Sequence, residues 1–212
     1  MRISILLLIF ATLAACGSGD TGAATGAAKG AASAPAPAAA STWTLASGES
    51  RLSFVSTKAG EIAETHYFRD IAGAVSPSGE AVLEVALDSV ETAIDIRNER
   101  MRAMLFETET HPVATVSVDA PLEEFDALAV GERVRRSATV SLSLHGVSAD
   151  IDGDLFVTRI ADDRVLVETA APVVVNAGDF ALTDGVAALM EIAALPSISP
   201  AVPTTASLVF VR

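Results

Sequence analysis

A single cysteine in 212 residues excludes an internal disulfide, a multi-thiolate zinc centre and a two-cysteine redox motif by counting alone. Basic residues are sparse as well: 14 Lys and Arg stand against 27 Asp and Glu, giving a formal charge of −13, and they form no run longer than Arg135-Arg136. No positive field exists to gather phosphates, which argues against nucleic acid as a partner. Aromatic residues amount to 5%, with one Trp and one Tyr, too few for a base-stacking platform. Gly-x-Ser-x-Gly, His-Glu-x-x-His, a phosphate-cradling glycine loop and a dinucleotide fingerprint are all missing, so neither an enzyme nor a metal or cofactor site is expected. What the chain has is apolar matter, 50% of its residues, enough for one globular domain with sequence to spare.

The spare sequence is N-terminal. Arg2 precedes an apolar run from Ile3 to Phe10 interrupted only by Ser4, and Leu13-Ala14-Ala15-Cys16 follows. As a helix, residues 3–15 would reach about 20 Å against a hydrocarbon core of about 30 Å, so the segment reads as an export signal (residues 1–15) and not as a mature membrane span. Leu-Ala-Ala-Cys resembles the bacterial lipobox, which implies that Cys16 is acylated and becomes the new N-terminus, tethering the protein to a membrane. By the sorting rule of enteric bacteria, Gly17 in place of Asp favours the outer over the inner membrane, with the protein facing the periplasm. Residues 16–42 are almost wholly Gly, Ala, Ser, Thr and Pro and cannot pack a core. The 26 residues after Cys16 form a linker, with an r.m.s. reach of about 28 Å for a flexible coil. The domain proper is expected over 43–212, where 12 basic and 26 acidic residues leave a net charge of −14. That charge disfavours close approach to anionic head groups and is explained by solubility.

Within the domain the hydrophobic period is two. In Arg133–His145, Val134, Ala138, Val140, Leu142 and Leu144 share one face, and Arg133, Arg135, Ser137, Thr139, Ser141, Ser143 and His145 share the other. Gly146 permits a tight turn into Val147–Val157, which alternates in the same way. Further strands are predicted at 50–58, 81–88, 113–120, 165–175 and 205–212, with 62–75 one long strand or a pair broken near Asp70. About eight strands with one wetted face imply a mainly β fold, an extended antiparallel up-and-down β-barrel; alternation alone leaves an open sandwich possible. Two short helices break the pattern. One covers 96–106, where Arg97, Arg100 and Arg102 interleave with Met101, Met104 and Leu105; solvation explains these arginines better than contact with a ligand. The other covers 183–195, capped by Thr183 or Asp184 and stopped by Pro196.

Candidate chemistry is thin. His66, His111 and His145 are more than thirty residues apart and can converge only through the fold, so a metal site built on them has no support in spacing. His145 lies on the polar face of its strand and reads as solvated; His111 falls in a connection before Pro112; His66, inside a strand, is the candidate for a polar group at a pocket wall. Glu123-Glu124 and Asp162-Asp163 fall between strands and read as solvated turns.

Several short pieces, in order, carry a resemblance. They are Trp43; Ser50-Arg-Leu-Ser-Phe54 with Lys58; Phe68 ahead of Gly73; Leu87-Asp-Ser-Val-Glu-Thr92; Ile96-Arg-Asn-Glu-Arg-Met-Arg102 with Leu105-Phe106; Pro112; Leu144-His-Gly-Val147; Val175-Asn-Ala-Gly-Asp-Phe180; and Leu195-Pro-Ser-Ile-Ser199. Together they resemble the YceI-like family of bacterial lipid-binding proteins. Two positions depart from the family pattern: His66 stands where Gly is frequent, and Ala181 where Gly is common. The resemblance implies a lipocalin-like barrel whose interior holds a polyisoprenoid chain, such as the tail of a quinone precursor, for storage or transport, with no other cofactor. The expected lining takes the large inward residues Phe54, Phe68, Leu83, Val116, Val140, Leu142 and Leu144, with Met101, Phe106 and Phe180 near an opening. Two other readings are an envelope hydrolase acting through His66 on lipid esters or amides, and a structural envelope protein whose barrel is filled by its own side chains.

Overall fold

The computed structural model describes residues 43–212. The expected export signal, Cys16 and the linker lie outside the described residues. In chain order the elements are β1 (Trp43–Leu45), β2 (Arg51–Lys58), β3 (Ile62–Phe68), β4 (Ile71–Val75), β5 (Glu80–Ala86), β6 (Val90–Glu91), α1 (Asp95–Arg100) running into a π-helical turn (Met101–Leu105), β7 (Val113–Asp119), α2 (Leu122–Asp126), β8 (Arg133–Leu144), β9 (Val147–Ala161), β10 (Arg164–Thr169), β11 (Val173–Asn176), α3 (Thr183–Ile192) and β12 (Ala201–Val211).

All strand pairings are antiparallel, and they reduce to eight staves. Four staves are strands broken in the middle: β1 with β2, β3 with β4, β5 with β6, and β10 with β11. Each broken stave pairs with its neighbour on both sides of the break, as β1 does with β4 and β2 with β3. The staves follow one another in sequence, and β12 closes the ring against β1 and β2 on one edge and β10 and β11 on the other. The result is a closed eight-stave up-and-down barrel, which settles the choice against an open sandwich. Closure also removes the unpaired edges that a flat sheet would present.

At three of the four breaks a serine satisfies the backbone groups that the kink frees, while the fourth, between β10 and β11, falls at Ala170-Ala171-Pro172. Ser89 Oγ donates to the Ala86 carbonyl (2.6 Å) and accepts from the Asp70 amide (3.0 Å), tying two adjacent breaks together. At the first break, Ser50 Oγ donates to the Ala46 carbonyl and accepts from the Val209 amide, both at 2.9 Å. A serine or threonine hydroxyl suits such places because it both donates and accepts.

The helices depart from expectation in detail. The segment after α1 widens into a π turn, and α3 ends at Ile192, before Pro196 can act, because Ala194 enters the left-handed region (φ 50). No side chain caps α3 at Thr183 or Asp184; Leu182 occupies the capping position. Glu123 and Glu124, expected in a turn, belong to a third short helix, α2. This helix fills a gap between β7 and β8, which pair only over Thr115–Ser117 with Ser141–Ser143 and then separate. Register places α1, the π turn and α3 at one end of the barrel and α2 toward the other.

Candidate functional site: an apolar bore

The alternation that builds the staves also builds the site. Inward positions at i, i+2 and i+4 fall on one wall: Val140, Leu142 and Leu144 from β8, Ile151, Leu155 and Val157 from β9, and Leu208 and Phe210 from β12. These walls do not meet. They enclose a cavity of about 420 Å³ to which every strand except β6 contributes. Its size falls in the range of about 300–1,000 Å³ typical of ligand pockets. It extends from Trp43 and Phe210 at the α2 end to Phe106, Ala177 and Leu182 at the helical end.

The few polar groups on the wall are mostly engaged. Thr169 Oγ1 accepts from the Ala206 amide (3.2 Å), Ser137 Oγ donates to Asp154 Oδ1 (2.6 Å), and Arg136 reaches Glu124 of α2 through Nε (2.9 Å) and Nη2 (2.6 Å). Arg136 is on the inward parity of β8, and its pair with Glu124 lies where β7 and β8 part. The sequence reading missed both the arginine's inward position and α2. The signal available was parity: Arg136 shares the even positions of Val134, Ala138 and Val140.

Of the ten expected lining residues, Phe54, Phe68, Leu83, Phe106, Val116, Val140, Leu142 and Leu144 lie on the cavity wall. Met101 and Phe180 do not. Both are buried in the packing of the helical end, Phe180 with 1% of its surface exposed.

His66 is also off the wall, one side chain beyond it. Phe54 separates it from the cavity, with ring centroids 5.3 Å apart, and the aromatic series continues from Phe54 to Phe68 (5.4 Å) and Phe106 (5.9 Å). Its Nε2 lies 2.9 Å from Ser56 Oγ, while Nδ1 is buried without a hydrogen-bond partner. Burial first, and the nearby Arg97 charge second, hold the imidazole below its ordinary pKa, so the neutral ring is favoured. No carboxylate hydrogen-bonds the ring among the described residues; Glu64 acts on it only through its charge. Past His66, Glu64 accepts from Lys58 Nζ (2.6 Å) and Arg97 Nη1 (2.7 Å), and these bonds, Lys58's the largest, hold its carboxyl below the usual range.

Arg97 is therefore a strut and not a solvated surface residue. Besides Glu64 it donates from Nη2 to the Thr92 carbonyl (2.6 Å). Thr92 in turn sends its amide (2.9 Å) and hydroxyl (2.6 Å) to Asn98 Oδ1, and Glu91 accepts from Arg69 and the Ala93 amide. This buried network explains why Glu91-Thr92 and Arg97-Asn98 stand among the pieces that carried the family resemblance: together they dock α1 on the barrel. Arg102 donates only a long bond to the Asp88 carbonyl (3.4 Å), and no bond is described for Arg100.

The comparisons agree with this geometry. The model of the YceI-like domain matches residues 43–210. The chain belongs to the YceI-like family. A polyisoprenoid-binding domain from Saccharophagus degradans, implicated in plant cell wall breakdown, is 40% identical and superposes with a TM-score of 0.80, over 82% of this chain and 99% of that one. BcnA of Burkholderia cenocepacia shares the fold at 15% identity, with a TM-score of 0.60 over 78% of this chain and 98% of its own. No curated protein matches the chain.

Proposed function

We propose that this protein is a lipid-anchored carrier in the bacterial envelope, holding a long isoprenoid or quinone-precursor-like chain inside the barrel for storage or transport. The observation that carries the reading is the apolar bore, whose few wall polar groups are mostly hydrogen-bonded to neighbouring protein groups. Binding energetics then select for length. Burying one five-carbon isoprene unit gains roughly 4 kcal/mol at about 0.8 per carbon, whereas association costs about 4–15 kcal/mol. One unit does not cover that cost, while several do. The relative from Saccharophagus, described as polyisoprenoid-binding, supports the same ligand class.

In this account acylated Cys16 tethers the mature protein, facing the periplasm, with the outer membrane favoured. The linker lets the domain stand off a surface that its own acidity repels. Titration of the delipidated protein with prenols of increasing length tests the reading: affinity should climb with each added unit until the bore is full, then level off. Affinity independent of chain length would refute it. Mass spectrometry of the mature N-terminus tests the anchor, and an unmodified Cys16 would remove it.

A further inference from the structure

Two histidines far apart in sequence meet at the helical end of the barrel. The Glu107 carbonyl accepts from the amides of Thr110 (2.8 Å) and His111 (2.9 Å), a tight turn that brings residues 107 and 111 together. His145 is the first residue of the two-residue turn that joins β8 to β9, and its ring lies 4.4 Å from that of His111. His145 Nε2 is 2.9 Å from Glu107 Oε2, and donor atoms from all three side chains lie within 4.8 Å of one another. The expectation of a solvated His145 is thus corrected: its side chain is 13% exposed, and Nδ1 is buried with no hydrogen-bond partner.

Backbone conformation adds an independent observation. Glu107 (φ 47) and His145 (φ 52) both occupy the left-handed region. The β8–β9 turn, with His145 and Gly146 (φ 77) both at positive φ, is the kind that Asn-Gly or Asp-Gly serves best. Strain of this kind costs about 1–3 kcal/mol per residue and concentrates at functional sites. An Asn would make the turn with less strain, so the imidazole invites an explanation in what its nitrogens do.

We infer that Glu107, His111 and His145 form a binding site for a divalent transition-metal ion of the zinc class. Two imidazoles and one carboxylate are a donor set suited to that class, and three protein ligands leave a position for water. Tetrahedral bonds of about 2.0–2.1 Å put donors about 3.3 Å apart. His145 Nε2 and Glu107 Oε2, already 2.9 Å apart, need only open slightly, and the distances to His111 must close by no more than about an ångström and a half. Phe106 and Leu144, the residues just before Glu107 and His145, both line the cavity. A bound ion would staple the loop after the π turn to the β8–β9 turn at that end of the bore.

The test uses the full metal-stripped chain carrying Cys16→Ser, so that the only thiol cannot compete. Calorimetric titration with Zn²⁺ should show one saturable site and a raised thermal midpoint. His145→Asn, which keeps a residue suited to the turn, and His111→Gln should each weaken binding at least about 100-fold, with the circular dichroism of the metal-free protein unchanged. Should one variant fail to fold, the other and Glu107→Gln decide the matter. Absence of saturable Zn²⁺ binding, or binding equally tight in the folded variants, would overturn the inference.

Discussion

Leu142→Trp puts the hollow interior to a direct test. Leu142 lies on the cavity wall, paired across the sheet with Val116 of β7 and Ala149 of β9, and is 8% exposed. In a solid core, a side chain this much larger costs about 1–3 kcal/mol through strain. Here the indole has about 420 Å³ of space to enter, so the thermal midpoint should fall little. The cost appears in binding instead. Displacing one isoprene unit forfeits roughly 4 kcal/mol at about 0.8 per carbon, close to three orders of magnitude in affinity. Competition for a fluorescent polyprenol, run beside thermal denaturation, reads both quantities. A variant that is stable and binds as tightly as the parent would refute the assignment of Leu142 to the ligand path; one that unfolds would contradict the hollow itself.

Four further outcomes follow from particular contacts. Asn98→Ala leaves the buried Thr92 amide without its acceptor, at about 1–3 kcal/mol, and the Thr92 hydroxyl with only its long bond to the Ile94 carbonyl (3.4 Å); chemical denaturation should show the loss. Gly185→Ala would set a Cβ 2.6 Å from the Met104 carbonyl oxygen and 2.9 Å from Leu105 Cα, so α3 should lose stability despite alanine's better helix propensity; an unchanged midpoint would contradict the packing of α3 on the π turn. Ala181→Gly replaces a left-handed alanine (φ 55) and should raise the midpoint by up to a few degrees, with no gain arguing against strain there. The folded state disfavours protonated His66, so its contribution to stability is complete above its ordinary pKa of 6.5 and is lost as pH falls from there through the lowered folded value. Urea midpoints at about pH 7.5 and about 5.5 should therefore differ less in His66→Gln than in the parent, and an equal difference would refute this.

The barrel was legible in the sequence because closure and alternation are the same physics: each stave must place apolar side chains inward at every second residue, and β8 and β9 write that pattern over 12 and 15 residues. The breaks were harder to see. A kink at Ser89 or Ser50 is a matter of which backbone groups lose partners, and a serine on a polar surface looks the same in sequence. Seven wall residues followed from parity; of the three placed near an opening, Phe106 lies on the wall and Met101 and Phe180 do not, because a π turn and a 3₁₀ turn have no fixed inward face. Arg136 escaped notice because an arginine at an inward position contradicts the pattern unless Glu124 is there to receive it, and α2 is too short, at five residues, to show a helical period. The meeting of His111 and His145 depends on how two loops pack at one barrel end, which no local spacing records.

Native mass spectrometry of the protein purified gently from its own cells, followed by lipid identification, tests the central claim most directly. The account predicts one isoprenoid-chain lipid per molecule, released by organic solvent and absent from Leu142→Trp. A protein that arrives empty and takes up no long-chain prenol when offered it would contradict the account.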